Sequence, residues 1–501
     1  VSGGGDESRD WPRRWALYTP DAPALKDAAT GRVWTWAAVD RAASALAEAL
    51  RGLGVGAGDR VAVLARNRVE TILLFFATRR LEAVLVPLNF RLAPAELDEI
   101  LEDCSPIVTI VSDDLAPALP RDARSFTFAA LDAVAYGGPS SPPSPSSPSS
   151  PSSPSSPCMI LYTSGSTGRP KGVLVTPKMI FWNSVNTAMR LDLTQSDAAL
   201  TYAPLFHTSG WNVLTLPILH RGGRVVVMEK FDPDLVFAAL ARERISILFG
   251  VPTMLDMLRR SDAFATADLS SVRYAIVGGE PMARDLIRAW AERGVPVRQG
   301  YGLTEFGPNV FSLPEADALR KIGSVGFPNF YVDVRLVDDR GGVVEGAGQG
   351  ELHLRGPSAS AGYWRGAAAG EWCITGDVLA RDEEGYYYVV GRKKDMYISG
   401  GENVYPAEVE RALRELPAVR EAAVTATRDE RWGEVGVAWV VGDASPETVL
   451  SHCRERLAKY KVPRHVRFLS ELPKAENGKI DRLRLRSWTE GADGHAPAHS
   501  R

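Results

Sequence analysis

Cysteine is scarce. Cys104, Cys158, Cys373 and Cys453 stand far apart, with no CxxC spacing and no histidine clustered beside them. That excludes a disulfide framework and a zinc site of ordinary ligand spacing. An excess of one charge is also lacking, since 58 Lys and Arg face 61 Asp and Glu for a net charge of -3. A general nucleic-acid binder is therefore not expected. Long apolar runs are missing as well: the stretch from Thr71 to Ala77 is far shorter than the roughly 20 residues of a membrane span. The beginning, VSGGGDESRDWPRRW, has no apolar secretory core. These absences lead to the expectation of a cytoplasmic protein without a transmembrane segment.

What is present is a chain of 501 residues, long enough for about three folding units. Proline is the one count in excess, and 8 of the 34 prolines lie in residues 139–157, which are purely Pro and Ser. Such a segment buries nothing and is expected to be an extended or disordered tether, either a variable surface loop or a ligand for a proline-binding domain. Before it, Val39, Ala43, Leu46 and Leu50 recur at helical spacing, and Val61–Leu64 and Ala83–Leu88 read as apolar strands around a helix near 69–80. After it, strands are expected at 159–162, 224–228, 245–249 and 274–277. Helices alternating with such strands predict an α/β, doubly wound, mostly parallel sheet. Residues 321–390 change to many short strands, a β-rich subdomain. From 392 to 501 a separate small α+β domain is expected, with helices at 406–416 and 446–460, hinged behind a large domain at 1–391.

The segment YTSGSTGRPKG, Tyr162–Gly172, follows an apolar strand directly. Its glycines let backbone approach an anion, Thr163, Ser164, Ser166 and Thr167 add hydroxyl donors, and Lys171 adds charge. It reads as a phosphate-gripping loop; a surface turn is the alternative. A Walker A loop needs Gly-Lys-Ser/Thr, whereas Pro170 precedes Lys171 and Gly172 follows it, so a P-loop ATPase or kinase is disfavoured. Farther on, YGLTE at Tyr301–Glu305 offers an aromatic face, a hydroxyl and a hard carboxylate, the donor types a magnesium nucleotide needs.

The paired motifs resemble those of the adenylate-forming superfamily, which contains acyl-CoA and aryl-CoA synthetases, peptide-synthetase adenylation domains and firefly-type luciferases. The resemblance extends over nearly the whole chain. It implies that Thr163, Ser164, Gly165, Ser166, Thr167, Gly168 and Lys171 grip ATP phosphates. It also places Gly279, Glu280, Tyr301 and Gly302 around the nucleotide, with Thr304 on the α-phosphate and Glu305 holding Mg2+. Thr375–Asp377 resembles the motif whose Asp binds ribose, Asp377 here, although a turn-forming Asp is equally compatible; Arg392 is implied as a second ribose contact. Lys394 falls at the hinge position, and Gly400 and Gly401 in the loop lining the pantetheine tunnel. In PKAENGKIDR, Lys479 matches the adenylation lysine and Lys474 is a second candidate, where composition alone would read a solvated turn.

For the acid, the resemblance places His207 at an aromatic or histidine gate and Gly250, Val251 and Gly278 along the acyl pocket. Trp211, in FHTSGW, matches the indole that gates the tunnel of long-chain enzymes, with ordinary core as the alternative. The segment 203–217 has no Asp to hold an α-amino group, which disfavours amino acids. The implied reaction joins a carboxylic acid, expected to be a medium- or long-chain fatty acid, to CoA through an acyl-AMP, with ATP and Mg2+. Aryl acids, a carrier-protein pantetheine as acceptor, a homodimer, luciferase-like oxygenation and a non-enzymatic nucleotide sensor stay open. One departure is Glu82, where the family often has Gly.

Overall fold

The computed structural model describes residues 10–120, 123–136, 155–163, 170–399, 402–475 and 479–490. It is a mixed α/β protein with a large N-terminal domain and a small C-terminal one. The expected tether lies outside the described residues as far as 154.

Two sheets dominate the large domain. One has six strands in the order Ser125–Thr127, Val108–Val111, Arg60–Leu64, Val84–Leu88, Met159–Thr163 and Lys171–Val175, parallel until the last pair. The other has nine, with a parallel centre that runs Val297–Tyr301, Tyr274–Val277, Ile247–Gly250, Ala198–Thr201 and Arg224–Val227. These strands are short, continuous Val/Ile/Leu/Ala runs because both faces of a parallel sheet are covered. The helix Val69–Arg80 is buried from Thr71 to Thr78, with no polar stripe, because it lies between the two sheets. The helix Trp36–Gly52 joins it there, started by the Thr35 hydroxyl accepting from the Ala38 amide. The outer faces are closed by Pro94–Cys104 on the first sheet and by Pro233–Arg242, Pro252–Arg260 and Arg284–Glu292 on the second.

The β-rich segment is a four-stranded antiparallel meander, Asp333–Val337, Gly348–Arg355, Cys373–Arg381 and Tyr387–Arg392. A tight turn, Lys393–Asp395, leads out of it into a five-stranded sheet starting at Tyr397–Ser399, whose long hairpin is Val419–Asp429 with Gly433–Gly442. The helices Pro406–Arg414 and Pro446–Arg456 cover that sheet. The second stops four residues short of the expected Tyr460: at Leu457 the backbone turns extended, and its N–H closes the last turn on Cys453.

This topology gathers the motifs. Gly250, Val277 and Tyr301 end three adjacent parallel strands, so the loops after them open side by side at the carboxyl edge, where open α/β sheets bind ligands.

Candidate active site

At the two ends of the segment Tyr162–Gly172 the strands Met159–Thr163 and Lys171–Val175 pair antiparallel at the edge of the first sheet, with Thr163 opposite Lys171. The Thr163 hydroxyl donates to the Lys171 carbonyl at 3.4 Å. Ser164, Gly165, Ser166, Thr167 and Gly168 lie outside the described residues. This strand pair is rigidly backed. A Cβ on Gly172 would come within 2.6 Å of Ile160, the Trp364 amide donates to the Gly172 carbonyl at 2.7 Å, and the Trp364 indole donates to the Asp103 carbonyl at 3.0 Å.

Tyr363, which no sequence pattern singled out, joins this strand pair to Glu305. Its backbone bridges Val173, the Lys171 ammonium lies 5.8 Å from its ring centre, and its hydroxyl donates to Glu305 Oε1 at 2.9 Å. Glu305 itself sits in the tight turn Thr304–Phe306, anchored by the buried Phe306 and by the Ser360 amide donating to its carbonyl at 2.8 Å. Burial and the Glu305 charge push the neighbouring Cys373 thiol up to about 11. No cluster of three His, Cys, Asp or Glu able to hold a metal exists among the described residues. Glu305, with one oxygen held by Tyr363, could hold a magnesium ion with phosphate oxygens and water completing the shell, the usual arrangement for Mg2+ on a nucleotide.

Tyr301 and Asp377 meet directly. The Tyr301 hydroxyl donates to Asp377 Oδ2 at 2.5 Å, and Arg392 Nε holds Oδ1 at 2.9 Å, because the meander pairs Asp377 with Arg392 across two strands. Burial first, then the Asp377 charge, raises the Tyr301 phenol well above its ordinary value, keeping it a donor. Gly302 allows the chain to turn here: a Cβ would lie 2.0 Å from the Pro308 carbonyl oxygen.

Lys479 reaches this group from the small domain. More than a third of its surface stays accessible, yet desolvation by the protein around its ammonium, followed by repulsion from Arg392, lowers that ammonium below the ordinary lysine range, with Glu280 and Asp377 acting in the opposite sense. Its field is also felt at His207, where burial, Lys479 and Arg91 bring the imidazole down to about 4. Lys474 points elsewhere, into a surface ion pair with Glu421 at 3.1 Å. Lys394 sits in the turn between the domains, while Gly400 and Gly401 fall outside the described residues.

Toward the acyl region, His207 Nε2 is buried with no hydrogen-bond partner among the described residues, and its ring lies 4.6 Å from Phe206. Gly278 and Gly279 would each take a Cβ in ordinary van der Waals contact, 3.6 Å from the Gly300 carbonyl oxygen at Gly278 and 3.7 Å from Val251 at Gly279. Gly250 differs, since its Cβ would meet Leu255 at 2.3 Å, so it serves helix packing. Trp211 is wholly enclosed, 0% exposed, with its ring 5.3 Å from Phe75 and its indole N–H given to the Leu205 carbonyl. Its surroundings are those of core.

The Thr163–Lys171 strand pair thus meets Glu305 through Tyr363, and Tyr301 meets Asp377 and Arg392, with Lys479 acting electrostatically on that second group. The family model described as AMP-binding enzyme matches residues 12–364, and that of the AMP-binding enzyme C-terminal domain matches residues 408–479. The chain belongs to the AMP-binding enzyme family. Within it, a feruloyl-CoA synthase of Amycolatopsis sp is 41% identical over 484 residues, covering 94% of this chain and 96% of that protein. A long-chain-fatty-acid–CoA ligase of Mycobacterium tuberculosis is 36% identical, covering 95% and 97%. The solved O-succinylbenzoate coenzyme A synthetase of Bacillus subtilis, in complex with ATP and magnesium ion, superposes with a TM-score of 0.84 at 30% identity, covering 95% and 99%. Such AMP-binding enzymes use ATP, Mg2+ and CoA, and this one is an AMP-forming acid–CoA ligase acting on a carboxylic acid. No helix among the described residues is long and apolar enough to cross a membrane.

Proposed function

We propose that the enzyme activates an aromatic carboxylic acid rather than a long-chain one. The observation that carries this is the placement of Trp211. A long-chain reading uses it as a tunnel gate, but its indole is enclosed by Phe75 and bonded to the Leu205 carbonyl. The positions where an added Cβ would meet only ordinary contact are instead Gly278 and Gly279, just past the strand end beside Tyr301. Backbone without side chains at that edge leaves a thin slot suited to a planar ring. The 41% identical relative acts on feruloyl-CoA chemistry by its name, which supports the same class. A fatty acid is the second reading, favoured by the 36% identical long-chain relative.

In the proposed first step the carboxylate attacks the α-phosphorus of ATP, forming acyl-AMP as the bond to pyrophosphate breaks. Lys479 and Thr304 stabilise the charge that accumulates on the phosphate, and the Thr163–Lys171 strand pair holds the leaving group. Glu305 would hold magnesium, which when bound would supply charge neutralisation on the phosphates. Asp377 and Arg392 fix the ribose and Tyr301 the adenine. His207, neutral above about pH 4, adds no competing cation near the carboxylate. The domain 392–501 then turns about Lys394, withdrawing Lys479 and bringing the loop at Gly400 and Gly401 forward to pass the CoA pantetheine. The thiol attacks the acyl carbonyl and AMP leaves. Four cysteines without disulfide partners fit a reducing, cytoplasmic setting.

The test is a panel of hydroxycinnamic, benzoic and saturated C6–C18 acids, assayed for pyrophosphate release and for thioester with free CoA. Highest kcat/KM on aromatic acids is expected. Preference for C12 or longer overturns the aromatic assignment.

A further inference from the structure

Lys479 is carried on a small hairpin. Lys474 bridges Ile480, the Ala475 amide donates to the Lys479 carbonyl at 2.7 Å, and the Asp481 amide donates to the Pro473 carbonyl at 2.8 Å. One turn beyond the lysine, Arg482 enters the interior of the small domain. Its Nη1 and Nη2 meet Glu410 Oε1 and Oε2 at 2.6 and 2.9 Å, and Nη1 also donates to the Val424 carbonyl at 3.1 Å. The Val424 amide returns a bond to Glu410 Oε1 at 2.8 Å, and Arg414 adds a weaker contact at 3.5 Å.

Glu410 is 3% exposed. A carboxylate so buried is costly unless its oxygens are filled. Here two arginines and an amide fill them, holding the group below its ordinary value despite burial. A planar guanidinium gripped at both nitrogens fixes orientation as well as distance. The surface pair Lys474–Glu421, 42% and 36% exposed, offers no comparable constraint.

We infer that Glu410 and Arg482 are positioning residues for adenylation, a buried fork that sets the height and direction at which the hairpin presents Lys479 to the large domain. This rests on the reading of Lys479 as the adenylation lysine. The fork lies wholly within the small domain, between the helix Pro406–Arg414 and the hairpin, so it travels with that domain.

The experiment compares Glu410→Gln and Arg482→Lys with the control Glu421→Gln in the full chain. Pyrophosphate release is expected to fall roughly 30-fold or more, while thioester formation from supplied acyl-AMP stays within about threefold, as for a misplaced rather than missing group. In parallel, hydrogen exchange at Ala475 and Asp481 should rise about tenfold with the strand Gly433–Gly442 unchanged. Unaltered exchange at the hairpin, exchange rising equally in that strand, or both half-reactions falling together overturns the inference. Should wild type release pyrophosphate with no acid tested, the ligase reading fails, and the exchange data still decide whether the fork holds the hairpin.

Discussion

The Tyr301 hydroxyl and Asp377 Oδ2 are 2.5 Å apart, so the aromatic side chain read as the adenine platform also orients the carboxylate read as the ribose clamp. Hydrogen bonds to charged groups contribute about 1.5–3 kcal/mol. Tyr301→Phe keeps the ring and deletes that bond. The expected result is a KM for ATP raised roughly tenfold with kcat little changed, since Arg392 still holds Oδ1. Initial rates of pyrophosphate release against ATP concentration measure it.

Lys479 gives a pH prediction. Desolvation of its ammonium and Arg392 lower its pKa, so as pH rises it loses its proton earlier than an ordinary lysine, and with it the charge proposed to stabilise the phosphate. The adenylation kcat/KM, which reports the free enzyme, should decline on the alkaline side below the ordinary lysine range. Lys479→Arg should move that decline upward at reduced rate, because a guanidinium does not deprotonate there. Lys479→Ala should lose pyrophosphate release yet still convert supplied acyl-AMP to thioester. A bulky residue at Gly401 should do the reverse.

Tyr363 gives a magnesium prediction. Its hydroxyl holds one oxygen of Glu305 at 2.9 Å, leaving the carboxylate aimed rather than free to rotate. Partners that orient a metal ligand are typically worth about 10–100-fold in metal affinity. Tyr363→Phe should raise the Mg2+ concentration for half-maximal pyrophosphate release about tenfold, with the same shift in Mn2+ binding followed by electron paramagnetic resonance with ATP present.

Why Tyr363 was not legible follows from its geometry. It works through a bridge to Val173 from a distant part of the chain, and nothing in its local sequence marks such a contact. The elements that could be read are those whose signal is local. The helix expected near 69–80 is Val69–Arg80, and the strands expected at 224–228 and 274–277 are Arg224–Val227 and Tyr274–Val277, each an apolar run ended by a turn. Tyr301, Asp377 and Lys479 were found as separate motifs. Their meeting depends on strand order and on the small domain's docking, which no window of sequence contains. Trp211 shows the opposite limit, since a gate and a core indole look alike in sequence, and only the structure sets Phe75 against it.

Glu82 has a structural account that its sequence lacked. It follows the helix Val69–Arg80 with φ +56. Its amide bonds the Arg79 carbonyl, and the Ala83 amide bonds the Thr78 carbonyl, the Schellman arrangement in which Gly is favoured at the left-handed position. A side chain there costs about 1–2 kcal/mol, partly offset by the greater chain entropy lost by Gly. Glu82→Gly should stabilise the large domain by about 0.5–1 kcal/mol, seen as a thermal midpoint higher by about 1–2 °C, with activity unchanged.

The acyl pocket is tested by contrasting two substitutions. Gly278 lies outside the left-handed region and would take a Cβ in ordinary contact, 3.6 Å from the Gly300 carbonyl oxygen, so Gly278→Ala adds one methyl to the slot without backbone strain. A single methyl in a snug pocket changes discrimination by about 10–200-fold; kcat/KM for aromatic acids should therefore fall at least tenfold while the fold's thermal midpoint holds. Trp211→Ala, by contrast, removes a fully enclosed ring. Large-to-small changes of this kind cost about 3–5 kcal/mol, so that variant should melt earlier and lose activity on every acid alike. A tunnel gate would behave differently: Trp211→Ala would admit longer chains with stability nearly intact, and Gly278→Ala would leave aromatic acids unaffected. Melting curves and the acid panel on the two variants therefore separate a planar slot beside Tyr301 from a chain-length gate at Trp211.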